Sequence, residues 1–185
     1  MILNMFDYAK DVSLLAHDII DKYIKNYNIA IDCTLGNGYD TDFLCEKFSK
    51  VYSFDIQESA IESYSGKKKD NTVLICDSHE NILKYIEEKN ADCIMYNLGF
   101  LPGGDKTITT LAESTLNSIQ RALELLNVNG MVLICSYLGH EEGMREKKSL
   151  VPFLKKLDKS KYGVVAHEFI NRSETAPMLF VIEKK

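Results

Sequence analysis

One segment constrains this chain more than any other: Ile29-Ala30-Ile31-Asp32-Cys33-Thr34-Leu35-Gly36-Asn37-Gly38-Tyr39-Asp40-Thr41. It reads as a buried strand, a tight glycine turn and the start of a helix. Gly36 and Gly38 let the backbone turn sharply and come close to a ligand. Nineteen residues beyond Gly36, Asp55 closes a second apolar run, Val51-Tyr52-Ser53-Phe54. A carboxylate at that spacing can accept both hydroxyls of a ribose. Together these features predict an adenosine-containing cofactor on a doubly wound α/β sheet.

The rest of the chain extends the pattern. Ala9, Val12, Leu15, Ala16, Ile19, Ile20 and Tyr23 recur at helical spacing, which predicts a helix over 8–25 that covers the cofactor end of the sheet. Further helices are expected over 39–48, 59–67, 81–88, 108–126 and 147–157, with Asp77 or Ser78 capping the one at 81. Strands are expected over 72–76, 91–96 and 131–135, the last entered through an Asn129-Gly130 turn. Residues 164–170 and 178–183 read as an antiparallel hairpin at one edge. Such alternation of strand and helix requires a mainly parallel sheet covered on both faces. Its ligands bind beyond the carboxyl ends of the strands. The unusual polar residues fall there: 32–40, Asp55, 77–79, 97–106 and 136–140.

With 185 residues and no repeat or linker, the chain reads as one domain, 1–185. No apolar run approaches the ~20 residues that span a bilayer. The first residues carry no basic region ahead of their apolar ones, so no signal peptide is expected and the protein reads as cytoplasmic. The five cysteines form no C-x-x-C pair and read as small buried hydrophobes, with no metal site expected. A net charge of −5 counts against a general nucleic-acid binder. Lys67-Lys68-Lys69, Arg145 with Lys147-Lys148, and the lysines from Lys155 to Lys161 read as solvated helix ends or loops, with local RNA contact as the alternative.

The helix start after the glycine turn holds Asp40, and no third glycine stands near Thr41. A carboxylate there repels a pyrophosphate, which disfavours NAD and with it a dehydrogenase. S-adenosylmethionine has no phosphate and carries an ammonium and a sulfonium, which acidic residues suit. On this reading Gly36 to Gly38 pack on the methionine part. Asp32 and Asp40 set the charge near its amino group, and Asp55 holds the ribose. Asp77 accepts from the adenine amino group, with Ile56 or Gln57 and His79 flanking it.

Asn97-Leu98-Gly99-Phe100 follows the fourth strand, and a rigid Asn-x-x-aromatic turn there suits methyl transfer to nitrogen. The Asn97 side-chain oxygen and the Leu98 carbonyl can both accept from an N–H of an amine and aim its lone pair at the methyl carbon. Positioning of this kind supplies several kcal/mol, up to ~7–11 for ideal alignment. Phe100 can stack on a base or face a cationic amine. An alkylammonium must first lose a proton, to Asp105, His140 or bulk water; the sequence does not choose. Ser136-Tyr137-Leu138-Gly139-His140 is expected to line the acceptor side. His17 and His167 read as satisfied core or surface histidines.

The blocks Asp32 to Thr41, Phe54-Asp55-Ile56-Gln57, Asp77-Ser78-His79 and Asn97-Leu98-Gly99-Phe100-Leu101-Pro102-Gly103-Gly104-Asp105-Lys106 resemble the MnmM (YtqB-like) family of methyltransferases, which older naming calls rRNA methylases. The resemblance implies a Rossmann-like class I methyltransferase with a seven-stranded sheet. It implies S-adenosylmethionine-dependent methylation of the aminomethyl group on wobble uridine 34, giving 5-methylaminomethyl-2-thiouridine, and so a tRNA anticodon arm as partner. It also implies cofactor contacts from Asp32, Gly36, Asn37, Gly38, Asp40, Thr41, Asp55, Gln57, Asp77, Ser78 and His79. The modified uridine is expected to meet Asn97 to Phe100, with Pro102, Gly103, Gly104, Asp105, Lys106, Tyr137 and His140 on the substrate side. The match departs from the family at 171–177. An rRNA or small-molecule amine methyltransferase is the alternative, and a non-catalytic cofactor- or RNA-binding module a third reading. Oligomeric state is not legible; a homodimer would help so small a chain grip an anticodon arm.

Overall fold

The structure, a computed structural model, describes residues 6–100 and 109–185. In chain order its elements are α1 (Val12–Tyr23), β1 (Ile29–Asp32), α2 (Tyr39–Lys47), β2 (Lys50–Asp55), α3 (Glu58–Ser65), β3 (Thr72–Cys76), a 3-10 turn (His79–Asn81), α4 (Ile82–Tyr85), β4 (Ala91–Leu98), α5 (Ala112–Leu125), β5 (Leu126–Ser136), α6 (Glu141–Leu154), β6 (Tyr162–His167) and β7 (Met178–Lys184). The strands form one seven-stranded sheet in the order β3-β2-β1-β4-β5-β7-β6. Strands β1 to β5 are parallel, and β7 is antiparallel to both β5 and β6. This is the mainly parallel, edge-hairpin α/β sheet that the sequence pattern predicts.

Every residue of β1 is buried, Asp32 included, which is why Ile29 to Ile31 form an apolar run rather than an alternation. Successive residues of β4 feed opposite faces. Ile94, Tyr96 and Leu98 pack with Ile119 and Ala122 of α5 and Leu150 of α6. Cys93 and Met95 pack with Leu15, Ala16 and Ile20 of α1 and Leu44 of α2. The strand order reverses between β1 and β4, so Asp32 and Asn97 end on either side of the crevice where ligands bind.

Several elements differ from the sequence reading. Helix α1 starts at Val12 rather than residue 8 because the Asp11 side chain accepts from Ser13 N–H at 2.9 Å and caps it. The helix expected over 81–88 is a 3-10 turn followed by four α-helical residues, and Ile86 is already extended. Strand β5 starts at Leu126, through a pairing with Ala91, and Asn129 (φ 62°) makes an irregularity inside the strand rather than a turn before it. Helix α6 starts six residues before the expected 147. Gly143 argues against a helix in sequence terms, but its N–H donates to the His140 ring at 3.1 Å, and Leu150 and Leu154 anchor the helix. Among the cysteines, Cys33, Cys45, Cys93 and Cys135 are buried as expected, whereas Cys76 is exposed.

Helix α6 also holds the segment that returns from the fourth strand. Glu142 accepts from Ala112 N–H at 3.2 Å, and Glu146 accepts from the Thr115 hydroxyl at 2.9 Å. Glu146 is only 1% exposed. Burial pushes its carboxyl from the ordinary 4.5 up to about 7, with Glu142 adding to the rise and the Thr110 and Thr115 hydroxyls opposing it. The folded protein therefore keeps a proton that the unfolded chain releases above ~4.5, so this group's contribution to stability falls as pH rises from about 5 through 7. The shift corresponds to a few kcal/mol, on the order of 1.4 per pH unit. Glu146→Gln keeps an acceptor for Thr115 and removes the titration. Urea midpoints should show the variant close to wild type at pH 5 and clearly more stable at pH 8. An unchanged pH dependence would contradict this account of Glu146.

Candidate active site

The rim begins at the turn after β1. Gly36 (φ 50°) and Gly38 (φ 83°) both take the left-handed backbone. They serve different ends. The Gly36 N–H donates to Asp55 Oδ2 at 2.9 Å, joining the turn to the end of β2. Gly38 is buried against α3, and a Cβ built on it would lie 2.2 Å from the Tyr64 ring. Its smallness thus admits Tyr64, a contact the sequence did not reveal. Asn37 is exposed, and its carbonyl accepts from Lys67 at 3.1 Å.

Asp32 and Thr41 lie beneath this turn, each 0% exposed. Asp32 accepts from Thr34 N–H at 3.0 Å and from the Thr41 hydroxyl at 2.6 Å. Both side chains support the turn through these bonds. Burial, reinforced by the neighbouring Asp40 charge, pushes the Asp32 carboxyl up to about 7. Asp40 goes the other way. Burial works to raise it, but donors from His17, Ser13 and Asn97 outweigh burial and hold it below its ordinary value of 3.8. The two neighbouring carboxyls are therefore shifted in opposite directions, Asp32 up and Asp40 down.

Asp40 sits in the first turn of α2, where a carboxylate also gains from the helix dipole. Its Oδ1 accepts from the Ser13 hydroxyl and from His17 Nε2, both at 2.7 Å, and its Oδ2 accepts from Asn97 Nδ2 at 3.0 Å. His17 also stacks on Phe43, ring centroids 3.8 Å apart. Asn97 is fixed a second time, since its backbone N–H donates to Thr34 Oγ1 at 2.8 Å. With its amide nitrogen spent on a carboxylate, Asn97 presents its oxygen as an acceptor.

Asp55 is half-buried, and each of its oxygens is held by a backbone N–H: Oδ2 by Gly36 and Oδ1 by Gln57, both at 2.9 Å. Each oxygen keeps a second acceptor site, as a pair of ribose hydroxyls requires. Asp77, at the end of β3, accepts from Ser78 N–H at 2.7 Å, Asn81 at 3.0 Å and the Tyr85 hydroxyl at 2.8 Å. Burial raises its carboxyl, but these donors prevail and its pKa is lowered. Ser78 caps the 3-10 turn through Glu80 N–H. His79 is 7% exposed, and burial lowers it to about 4, so it is neutral at physiological pH. Among the described residues no group of three His, Cys, Asp or Glu side chains is arranged to hold a metal ion.

On the acceptor side, Leu98 is buried and Gly99 (φ 142°) exchanges bonds with Thr110, its N–H donating to the Thr110 hydroxyl at 3.0 Å. Phe100 pairs with Thr109 in a short bridge and meets the His140 ring edge-on at 5.5 Å. Tyr137 is half-buried against the α1 side of the sheet. Pro102, Gly103, Gly104, Asp105 and Lys106 lie outside the described residues. The lysines at 67–69 are tied to nearby groups: Lys67 faces Asp42, Lys68 donates to the Thr72 carbonyl, and Lys69 faces Glu46.

With this geometry in hand, residues 51–183 match the family described as "putative rRNA methylase". The chain belongs to this methylase family. It is the family that the sequence motifs resemble. A crystal structure of a Clostridium thermocellum protein described as a putative rRNA methylase is 36% identical, superposes with a TM-score of 0.90, and aligns over 95% of this chain and 98% of its own. A putative methyltransferase from Streptococcus mutans, crystallised with SAH, is 35% identical with a TM-score of 0.86, covering 95% and 99%. Among curated proteins, the chloroplastic tRNA (mnm(5)s(2)U34)-methyltransferase of Arabidopsis thaliana is 29% identical over 95% of this chain and 70% of its own length. No helix among the described residues is long and apolar enough to cross a membrane.

The methylase rim includes residues that sequence reading passed over. Ser13 and His17 complete the Asp40 site, and their spacing of four on one helix was the signal available. The Gly38 turn yields a direct check. Gly38→Ala combines a left-handed φ with a clash against Tyr64, and should lower unfolding free energy by about 1–3 kcal/mol. A loss below about 0.5 kcal/mol in urea titration would show that Tyr64 does not pack on this turn as described.

Proposed function

We propose that this methylase transfers the methyl group of S-adenosylmethionine to the aminomethyl nitrogen of the wobble uridine of tRNA. The residues present fit that cofactor. Asp55 holds both its oxygens ready for the ribose, the Gly36 turn lies against it, and Asp40 supplies a nearby negative charge. The SAH complex of the Streptococcus mutans relative supports the same class of ligand. The wobble uridine is supported by the Arabidopsis relative and by the Asn97 turn.

The observation that carries the amine reading is the bond from Asn97 Nδ2 to Asp40 at 3.0 Å. It ties the amide nitrogen to Asp40 and so assigns Oδ1 as the amide's acceptor. An acceptor selects a donor, and a neutral amine has N–H bonds to give while its lone pair stays free. The Asn97 oxygen and the Leu98 carbonyl orient those N–H bonds, and the lone pair points to the methyl carbon. When bound, S-adenosylmethionine supplies the methyl group and leaves as a neutral sulfide, its sulfur keeping the electrons of the broken C–S bond. The amine proton passes to solvent. Asn97 therefore acts by alignment rather than by proton transfer.

The test uses the purified protein, labelled cofactor and an anticodon stem-loop carrying 5-aminomethyl-2-thiouridine at the wobble position. Methylation of that nitrogen is expected. Asn97→Ala should lower kcat by about 10²-fold, within what alignment can supply, with cofactor Kd unchanged by calorimetry. Labelling of ribosomal RNA instead, or an Asn97→Ala enzyme with wild-type kcat, would overturn the reading.

A further inference from the structure

His140 stands at the mouth of this site with one nitrogen used and one waiting. Its Nδ1 accepts from Gly143 N–H at 3.1 Å, the bond that caps α6. An accepting Nδ1 carries no proton, so in the neutral ring the proton is on Nε2. Nε2 is shielded from solvent and has no hydrogen-bond partner among the described residues. It lies 3.6 Å from where a Cβ on Gly99 would stand, and the ring meets Phe100 edge-on. The ring is also wedged in place. A Cβ on residue 143 would lie 3.1 Å from His140 Nε2 and 2.1 Å from the Tyr137 carbonyl oxygen, so only glycine lets the cap form.

Two consequences follow for chemistry. His140 has no free lone pair on either nitrogen, so it is not the base that takes the amine proton. It is instead a rigid N–H donor, and a shielded donor without an acceptor disfavours the free protein until a ligand supplies one. Gly99 lies two residues along the chain from Asn97, so their Cα atoms are within about 7 Å of each other. The turn thus carries Asn97 two residues from the glycine that His140 Nε2 faces. With N–H···O bonds of about 2.9 Å at each end, the pair suits a ligand that offers an amine and a carbonyl oxygen on neighbouring atoms.

We propose that His140 is a specificity-determining residue that donates Nε2–H to the O4 carbonyl of the uracil ring, next to the carbon bearing the aminomethyl arm. The proposal rests on the wobble-uridine reading above and deepens it. Phe100 stands edge-on against the His140 ring, and a base that stacks on Phe100 is brought beside the imidazole. Cytosine offers an amino group at the same place, which meets Nε2–H donor to donor and is rejected.

The test compares two anticodon stem-loops, one with 5-aminomethyluridine at the wobble position and one with the same base lacking O4. Wild type should favour the first by about 10- to 100-fold in kcat/KM, as for a site whose polar group is left unpaired. His140→Asn keeps a cap acceptor for Gly143 and removes the Nε2 donor. It should lose most of that preference, chiefly through a higher KM, with the pH profile of kcat unchanged. Nitrogen-15 NMR of the free protein should show Nε2 protonated and Nδ1 bare. A variant that discriminates like wild type, a pH profile that loses its lower limb, or a ring protonated on Nδ1 would each overturn the proposal while leaving the wobble reading standing. Wild type that methylates neither stem-loop would overturn the wobble reading, and the role of His140 with it.

Discussion

The Asp40 carboxylate is the point on which this site is built. It is 6% exposed and meets groups from three directions: Ser13 and His17 of α1, and Asn97 at the end of β4. A charge taken out of water is unfavourable unless such partners surround it. The same bonds that make the charge tolerable include the one that fixes the Asn97 amide. Helix α1 is thus more than cover for the sheet, since it supplies two of the three side-chain donors that hold the carboxylate.

The neighbouring Asp32 shows what happens to a carboxylate with less support. It is fully buried, lies beside the Asp40 charge, and is held by Thr34 and Thr41 alone, so it leans toward its neutral form. Two aspartates eight residues apart are thus shifted in opposite directions, Asp32 up and Asp40 down. A sulfonium and an ammonium are drawn to a carboxylate's field, while a pyrophosphate is repelled. The contrast between NAD and S-adenosylmethionine can be read from the residues because the sign of this charge settles it.

Much of the fold was legible beforehand because burial on both faces leaves a strong mark. The runs at Ile29, Val51, Ala91 and Met131 are strands because a central parallel strand has no polar face to show. The elements that were misplaced depend on single contacts, one a local cap and one distant in sequence. The start of α6 depends on the His140 ring reaching Gly143, and the start of β5 on Leu126 pairing with Ala91. Neither leaves a periodic trace in sequence. In the site, Asp55 and Asn97 stood out by spacing and by chemistry. His17 did not, because nothing local distinguishes a helical histidine that ends up 2.7 Å from a carboxylate 23 residues away.

By itself the sequence determined the mainly parallel sheet, the rim on which the polar residues gather, and the family through its motifs. Those properties follow from local spacing and from what must be buried. Only the tertiary structure decided what each polar residue does. It placed Thr41 and Asp32 under the turn, gave Gly38 to Tyr64, and tied the Asn97 amide to Asp40 and the His140 Nδ1 to Gly143. Hydrogen-bond direction is fixed by the partner a group meets, and those partners are brought together only when the chain has closed.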